Sequence, residues 1–94
     1  MRKLKYEIRF TNQIRKDLRL LLKRGKDMRK FEMTVEMLAR GEKLPPKYRD
    51  HKLSGDKCGM RDCHIEPDWL LLYRIEENVL ILELSRTGSH ADLF

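Results

Sequence analysis

The sequence predicts an α+β fold with the order β-α-α-β-β-β, a two-helix hairpin packed on one face of a mainly antiparallel sheet. Three observations lead there: a period-two alternation near the N-terminus, two consecutive segments with helical spacing, and three later strand-like segments punctuated by turn residues. With 94 residues, the chain is expected to form one domain over 1–94.

Leu4, Tyr6, Ile8 and Phe10 alternate with Lys3, Lys5, Glu7 and Arg9, so Leu4 to Phe10 reads as a strand with one buried face. Thr11 is placed to cap a helix whose apolar positions Ile14, Leu18, Leu21 and Leu22 share a stripe, and Gly25 is placed to stop it. Met28, Phe31, Val35 and Leu38 mark a second helix ending at Gly41. Periodicity then vanishes from Glu42 to Lys57, where Pro45-Pro46 excludes a helix interior, so His51 is expected on a loop.

Residues 58 to 66 suggest a strand with Met60, Asp62, His64 and Glu66 on one face. Pro67-Asp68 reads as the turn into a strand from Trp69 to Ile75. Glu76-Glu77-Asn78 leads into a last strand, Val79 to Thr87, on which Leu80, Leu82 and Leu84 share a face with Arg86. Gly88 and Ser89 break that pattern and leave His90 and Phe94 in a tail. The hairpin takes the aliphatic side of such a sheet, so His64 and Asp62 are expected on the other, with His51 above and His90 beside them.

The net charge is +6, unevenly spread: residues 1–30 hold twelve Lys/Arg against three acidic residues, while residues 61–94 hold three Arg against seven. The basic half suits a polyanion. The longest apolar run, Trp69 to Tyr73, is far too short to span a bilayer, so no membrane is expected. Met1-Arg2-Lys3-Leu4-Lys5 puts charges where a leader needs apolar residues, which predicts a cytoplasmic protein. Cys58 and Cys63 are expected as buried free thiols. A zinc site using them with His64 lacks the usual C-x-x-C spacing, so neither metal nor cofactor is expected.

The segment Asp50-His51-Lys52-Leu53-Ser54-Gly55, the run Arg61-Asp62-Cys63-His64-Ile65-Glu66-Pro67-Asp68-Trp69 and the ending Arg86-Thr87-Gly88-Ser89-His90-Ala91-Asp92-Leu93-Phe94 resemble the YafQ group of the RelE/ParE toxin superfamily. The resemblance covers essentially the whole chain. It implies a compact RelE-like fold and the toxin half of a bacterial type II toxin–antitoxin pair, a ribonuclease that enters the 70S ribosome and cuts mRNA in the A site. A cognate antitoxin is the implied partner. The active-site set carried over falls on His51, His64, Asp68, Trp69, Arg86, His90 and Phe94. Met60 stands where the family commonly has an aromatic residue, and Cys63 where a small one is usual.

RNA cleavage without a metal needs a base for the 2′-hydroxyl, an acid for the leaving 5′-oxygen and cations for the phosphate charge. Imidazole titrates near 6.5 and serves either proton role. His90 is the leading proton-transfer group, partnered by Asp68, with His51 and His64 as auxiliary acid/base or phosphate contacts. Arg86 would grip the phosphate. Trp69 and Phe94 offer stacking faces, with Lys52 and Arg61 as further substrate contacts. The helix cations Arg15, Lys16, Arg19, Lys23, Arg24, Lys26, Arg29 and Lys30 would dock on ribosomal RNA.

Structural readings stand beside these. Trp69 also fits a core position, Arg86 an ion pair with Glu83 or Glu66, and His51 and His64 ordinary loop and strand positions. Two rival functions share the features: a gyrase-binding toxin of the ParE branch, and a plain basic nucleic-acid-binding module.

Overall fold

The computed structural model describes residues 3–94. Met1 and Arg2, part of the charged start read against a leader, lie outside the described residues. The elements are β1 (Glu7–Phe10), α1 (Asn12–Lys23), α2 (Met28–Ala39), β2 (His51–Lys52), β3 (Arg61–Glu66), β4 (Trp69–Glu76), β5 (Ile81–Gly88) and α3 (His90–Leu93). The strands form one sheet of order β1-β5-β4-β3-β2, antiparallel except where β1 runs parallel to β5.

Thr11 caps α1 as expected, its hydroxyl accepting from the Ile14 N–H at 3.0 Å. Gly25 ends the helix at φ +79°, letting Gly25 N–H and Lys26 N–H bond the Leu22 and Leu21 carbonyls. Asp27 caps α2, and Gly41 closes it as Gly25 closes α1. Ile14 and Leu21 of α1 pack with Phe31, Val35 and Leu38 of α2. Leu22, expected on the same stripe, is 63% exposed: it lies about 100° around the helix from Leu21, beyond the contact with the sheet.

Trp69, Leu71 and Tyr73 of β4 and Leu82 and Leu84 of β5 face this hairpin and are buried. Leu70 and Leu72 face the opposite way, into a smaller cluster with Leu93 of α3, packed by Leu53 and Met60. Among the described residues no helix is long and apolar enough to cross a membrane.

Several expectations need correction. His51 lies not on a loop but on the two-residue edge strand β2, paired with β3. The first strand covers only Glu7–Phe10; Leu4 lies before it, and Leu4 and Phe10 stay 48% and 41% exposed. Cys58 precedes β3 and is exposed, whereas Cys63 is buried under the hairpin. Burial holds the Cys63 thiol protonated.

Two bulges overturn the expected faces. Tyr73 pairs with Leu84 but Leu72 pairs with Arg86, so Ser85 is an extra residue on β5. That single insertion moves Arg86 to the face opposite Leu82 and Leu84. A second irregularity between His64 and Glu66 turns Glu66 away from Asp62 and His64 and toward the hairpin, where Lys26 and Lys30 hold its carboxylate at 3.0 and 2.7 Å.

Candidate active site

Strand register assembles the site. His51 pairs with Asp62, Asp62 with Leu72 and Leu72 with Arg86, one row across four strands. The next row joins His64, Leu70 and Gly88. Directly opposed residues point to the same face, so His51, Asp62 and His64 emerge together on the side away from the hairpin.

The tail supplies the third histidine. Ser89 caps α3 in a capping box with Asp92, and His90 is the first residue of that turn. From the β3–β4 turn, Asp68 Oδ1 accepts from the His90 backbone N–H at 2.9 Å and from His90 Nδ1–H at 2.6 Å. Those bonds, the backbone one first, hold the Asp68 carboxyl below its usual range. In the neutral ring Nε2 is thus left bare and turned from its partner. The His90 and His64 rings meet edge to face with centroids 5.7 Å apart.

Asp62 lies among these rings. It is 5% exposed, its Oδ2 stands 3.8 Å from His51 Nε2, and its Oδ1 has no hydrogen-bond partner among the described residues. Burial pushes its carboxyl up, against the pull of the three imidazoles. The sequence placed Asp62 on this face without giving it a role. Its signal was the two-residue step to His64.

Other expected residues divide. Phe94 is 62% exposed, with Lys57 Nζ over its ring 5.6 Å from the centre. Lys52 lies exposed beside Arg61 on the edge. Arg61 itself is engaged: it donates to both Asp50 oxygens, and Asp50 also accepts from the Tyr73 hydroxyl.

Trp69 does not present a stacking face. It is fully buried under the hairpin, and its Nε1–H donates to Thr87 Oγ1 at 2.9 Å. Odd positions of β4 face the helices, which decides the matter.

Arg86 also departs from its expected place. β1 ends opposite Leu84, so the end of β5 has an open edge. Across it Arg86 Nε–H and Nη2–H donate to Asp17 of α1 at 2.9 and 3.2 Å, and the Thr87 N–H donates to the same carboxylate at 3.1 Å. The guanidinium lines a cleft with Gln13, Lys16 and Asp92. Its pairing is with Asp17, not Glu83 or Glu66. Asp17 was missed, although it falls on the buried stripe between Ile14 and Leu21.

The eight helix cations are not equivalent. Arg24 binds Asp92 at 2.7 Å, Lys26 and Lys30 bind Glu66, and Arg29 binds its own cap Asp27. Arg15, Lys16, Arg19 and Lys23 have no carboxylate partner among the described residues. A cleft of about 440 Å³ beside His64 adds two more cations, Lys47 and Arg49. Among the described residues no group of three or more His, Cys, Asp or Glu is arranged to hold a metal ion.

The chain is a small five-stranded sheet sealed on one side by a basic hairpin, with histidines and carboxylates gathered on the other, and its family match places it among the bacterial toxins of type II toxin–antitoxin systems. Residues 6–94 match the family model described as bacterial toxin of type II toxin-antitoxin system, YafQ, and the chain belongs to that family. It is 43% identical over 89 residues to the mRNA interferase toxin YafQ of Escherichia coli strain K12, covering 94% of this chain and 95% of that one. The crystal structure of the E. coli DinJ-YafQ toxin-antitoxin complex matches with a TM-score of 0.88 and 40% identity over 97% of this chain and 99% of that one. A metal-bound toxin from Helicobacter pylori matches at 0.89 and 40%, covering 95% and 99%.

Proposed function

We propose that this chain is an mRNA interferase: a single toxin domain, acting in the cytoplasm, that cuts mRNA in the A site of the 70S ribosome and is neutralised by a cognate antitoxin. The observation that carries this reading is the His90–Asp68 pair beside His64. A carboxylate fixing Nδ1–H of an exposed imidazole leaves Nε2 free to exchange a proton with RNA. Support for the substrate and partner comes from the E. coli relative, an mRNA interferase toxin, and from the DinJ-YafQ complex.

In this reading His90 and Asp68 form the leading proton-transfer unit, with His51 and His64 as further acid/base or phosphate contacts. Phe94 stacks on a base, and Lys52 meets the backbone. Arg86 keeps its Nη1 donors for phosphate while Asp17 holds Nε and Nη2. Trp69 and Arg61 support the site from beneath and beside it. Of the basic helix residues, Arg15, Lys16, Arg19 and Lys23 carry the docking on ribosomal RNA. Proton transfer and cations suffice for the chemistry, so the reaction is proposed to need no metal.

The test is to induce the wild type and His90→Ala in bacteria and map message ends on stalled ribosomes. Wild type is expected to cut within the A-site codon and leave 2′,3′-cyclic or 3′-phosphate ends. Loss of a general acid/base group costs about 10²–10⁴-fold in rate. Uncut messages with inhibited gyrase, equal cutting by a folded His90→Ala protein, or 3′-hydroxyl ends with stoichiometric metal would overturn it.

A further inference from the structure

The outer edge of β3 is covered for only two residues. β2 pairs with Arg61 and Asp62, so from Cys63 to Glu66 that edge has no paired strand. Within this stretch Ile65 has no partner residue on β4 either, because the register slips between His64 and Glu66. The turn Pro46–Tyr48 stands opposite the bare edge, and between them lies the cleft of about 440 Å³. One wall is Lys47, Tyr48 and Arg49; the other runs from His64 to Pro67.

Charge in this cleft is one-sided. Lys47 and Arg49 are exposed and have no carboxylate partner among the described residues. Glu66, the acidic residue in the lining, is already held by Lys26 and Lys30 of the hairpin. An entering anion therefore meets two free cations and a neutralised carboxylate. Arg49 also keeps a backbone conformation that residues with side chains seldom adopt, φ +49° and ψ +41°. Two contacts fix it: its N–H donates to the Pro46 carbonyl at 3.0 Å, and its own carbonyl meets His51 Nδ1 at 2.7 Å. Strain of this kind is retained where function needs a side chain in one place.

His64 belongs both to this wall and to the histidine cluster, its ring centre 5.7 Å from that of His90. An RNA strand lying across the histidines thus has its next step in the cleft. The space suits one nucleotide, since clefts that hold small ligands span about 300–1,000 Å³. Ile65 and Pro67 give a base an apolar wall, and the bare peptide groups of β3 can bond its edge.

We propose that this cleft seats the message nucleotide next to the cut, its phosphate held by Lys47 and Arg49 and its base set against Pro67 and the bare edge of β3. This rests on the mRNA-cleavage reading. It makes Lys47 and Arg49 substrate-binding residues, distinct from the helix cations that dock on ribosomal RNA.

The test compares 70S ribosomes that carry a codon in the A site with ribosomes whose message ends at the P site. Binding is measured in the His90→Ala background, which suppresses cutting. Lys47→Gln combined with Arg49→Gln is expected to weaken binding about tenfold where the codon is present, the worth of a hydrogen bond to a charged group. Binding to the codon-free ribosomes should not change. Lys47→Glu, which leaves the Arg49 backbone as it is, should show the same selectivity. With His90 in place, the Lys47→Gln, Arg49→Gln protein should raise KM for cleavage more than it lowers kcat. Equal weakening on both kinds of ribosome would put Lys47 and Arg49 on ribosomal RNA, and unchanged binding on both would leave them merely solvated; either result overturns the proposal. Wild type that cuts no message would defeat the cleavage reading instead, and the codon-dependent difference in binding would still judge the cleft.

Discussion

The two faces of the sheet are made by the same three strands, and they differ in what holds them. Under the hairpin, Trp69, Leu71, Tyr73, Leu82 and Leu84 are sealed, and their polar atoms are satisfied, Trp69 by Thr87 and Tyr73 by Asp50. On the other side one turn of helix covers Leu70 and Leu72 and leaves His51, His64 and His90 reachable. Apolar burial dominates the first face and fixed polar partners dominate the second. The hairpin serves both: its inner stripe makes the core, while Asp17, Arg24, Lys26 and Lys30 reach past the strands to hold Arg86, Asp92 and Glu66. Stability and chemistry are separated by face but tied at the sheet's end.

The largest effect is expected where the sealed face is opened. Trp69→Ala should cost about 3–5 kcal/mol, the range for emptying a large buried aromatic site, and urea denaturation would measure it. Trp69→Phe keeps most of the volume but loses the bond to Thr87. It should still cleave at near wild-type rate per folded molecule. A selective loss of cleavage in that variant would return Trp69 to the substrate and erase the contrast between the faces.

Next comes the tie at the open edge of β5. Asp17→Asn weakens three hydrogen bonds to a nearly buried carboxylate. Hydrogen bonds to charged groups contribute about 1.5–3 kcal/mol, and the lower part of that range applies because Arg86 is one-third exposed. Cleavage should fall as well, since Arg86 would lose its orientation. Equal stability of variant and wild type would mean that the edge closes without this carboxylate.

A smaller, pH-dependent effect is expected at α3. Arg24 first, then the Ser89 backbone N–H, holds the Asp92 carboxyl well below its ordinary range. A depressed folded-state value stabilises above the unfolded carboxylate range and is lost as pH falls through the folded value. Asp92→Asn should therefore cost about 0.5–2 kcal/mol at neutral pH, the usual worth of a helix cap. Melting curves of the two proteins should converge in strong acid. A constant difference at all pH values would show a packing effect instead.

Most of the fold was legible because alternation and helix caps are local signals. The two helices, their terminating glycines and the three long strands follow from spacing alone. Phase was not legible: Ser85 and the irregularity after His64 each shift a face by one residue, and nothing in a run of alternating residues marks where the count slips. β2 is two residues long, too short to show a period. The histidine cluster was foreseen because His51, His64 and His90 stood in three separate motifs. The burial of Trp69, the face of Arg86 and the part played by Asp17 were not legible, because they depend on tertiary partners rather than on neighbours in sequence.

The smallest effect on stability, and the sharpest test of the division within the hairpin, concerns its unpaired cations. Arg15, Lys16, Arg19 and Lys23 sit on the outer surface of α1 without carboxylate partners among the described residues, so neutralising them breaks no internal ion pair. Exposed substitutions of that kind stay within about 0.5 kcal/mol. Ribosome binding should respond differently, because each cation that no longer meets a phosphate lowers the slope of log affinity against log salt by about 1. Neutralising Arg24, Lys26 and Lys30 should show the reverse pattern: a measurable loss of stability through Asp92 and Glu66, with less change in slope. Titration of 70S ribosomes across a salt series, run beside thermal melts of both sets, separates the two groups. If both lower the slope alike, the internal ion pairs open on the ribosome and all eight cations face RNA. If neither does, the outer face of the hairpin is only solvated, and docking must pass to Lys47, Arg49 and Lys52 on the edge beside His64.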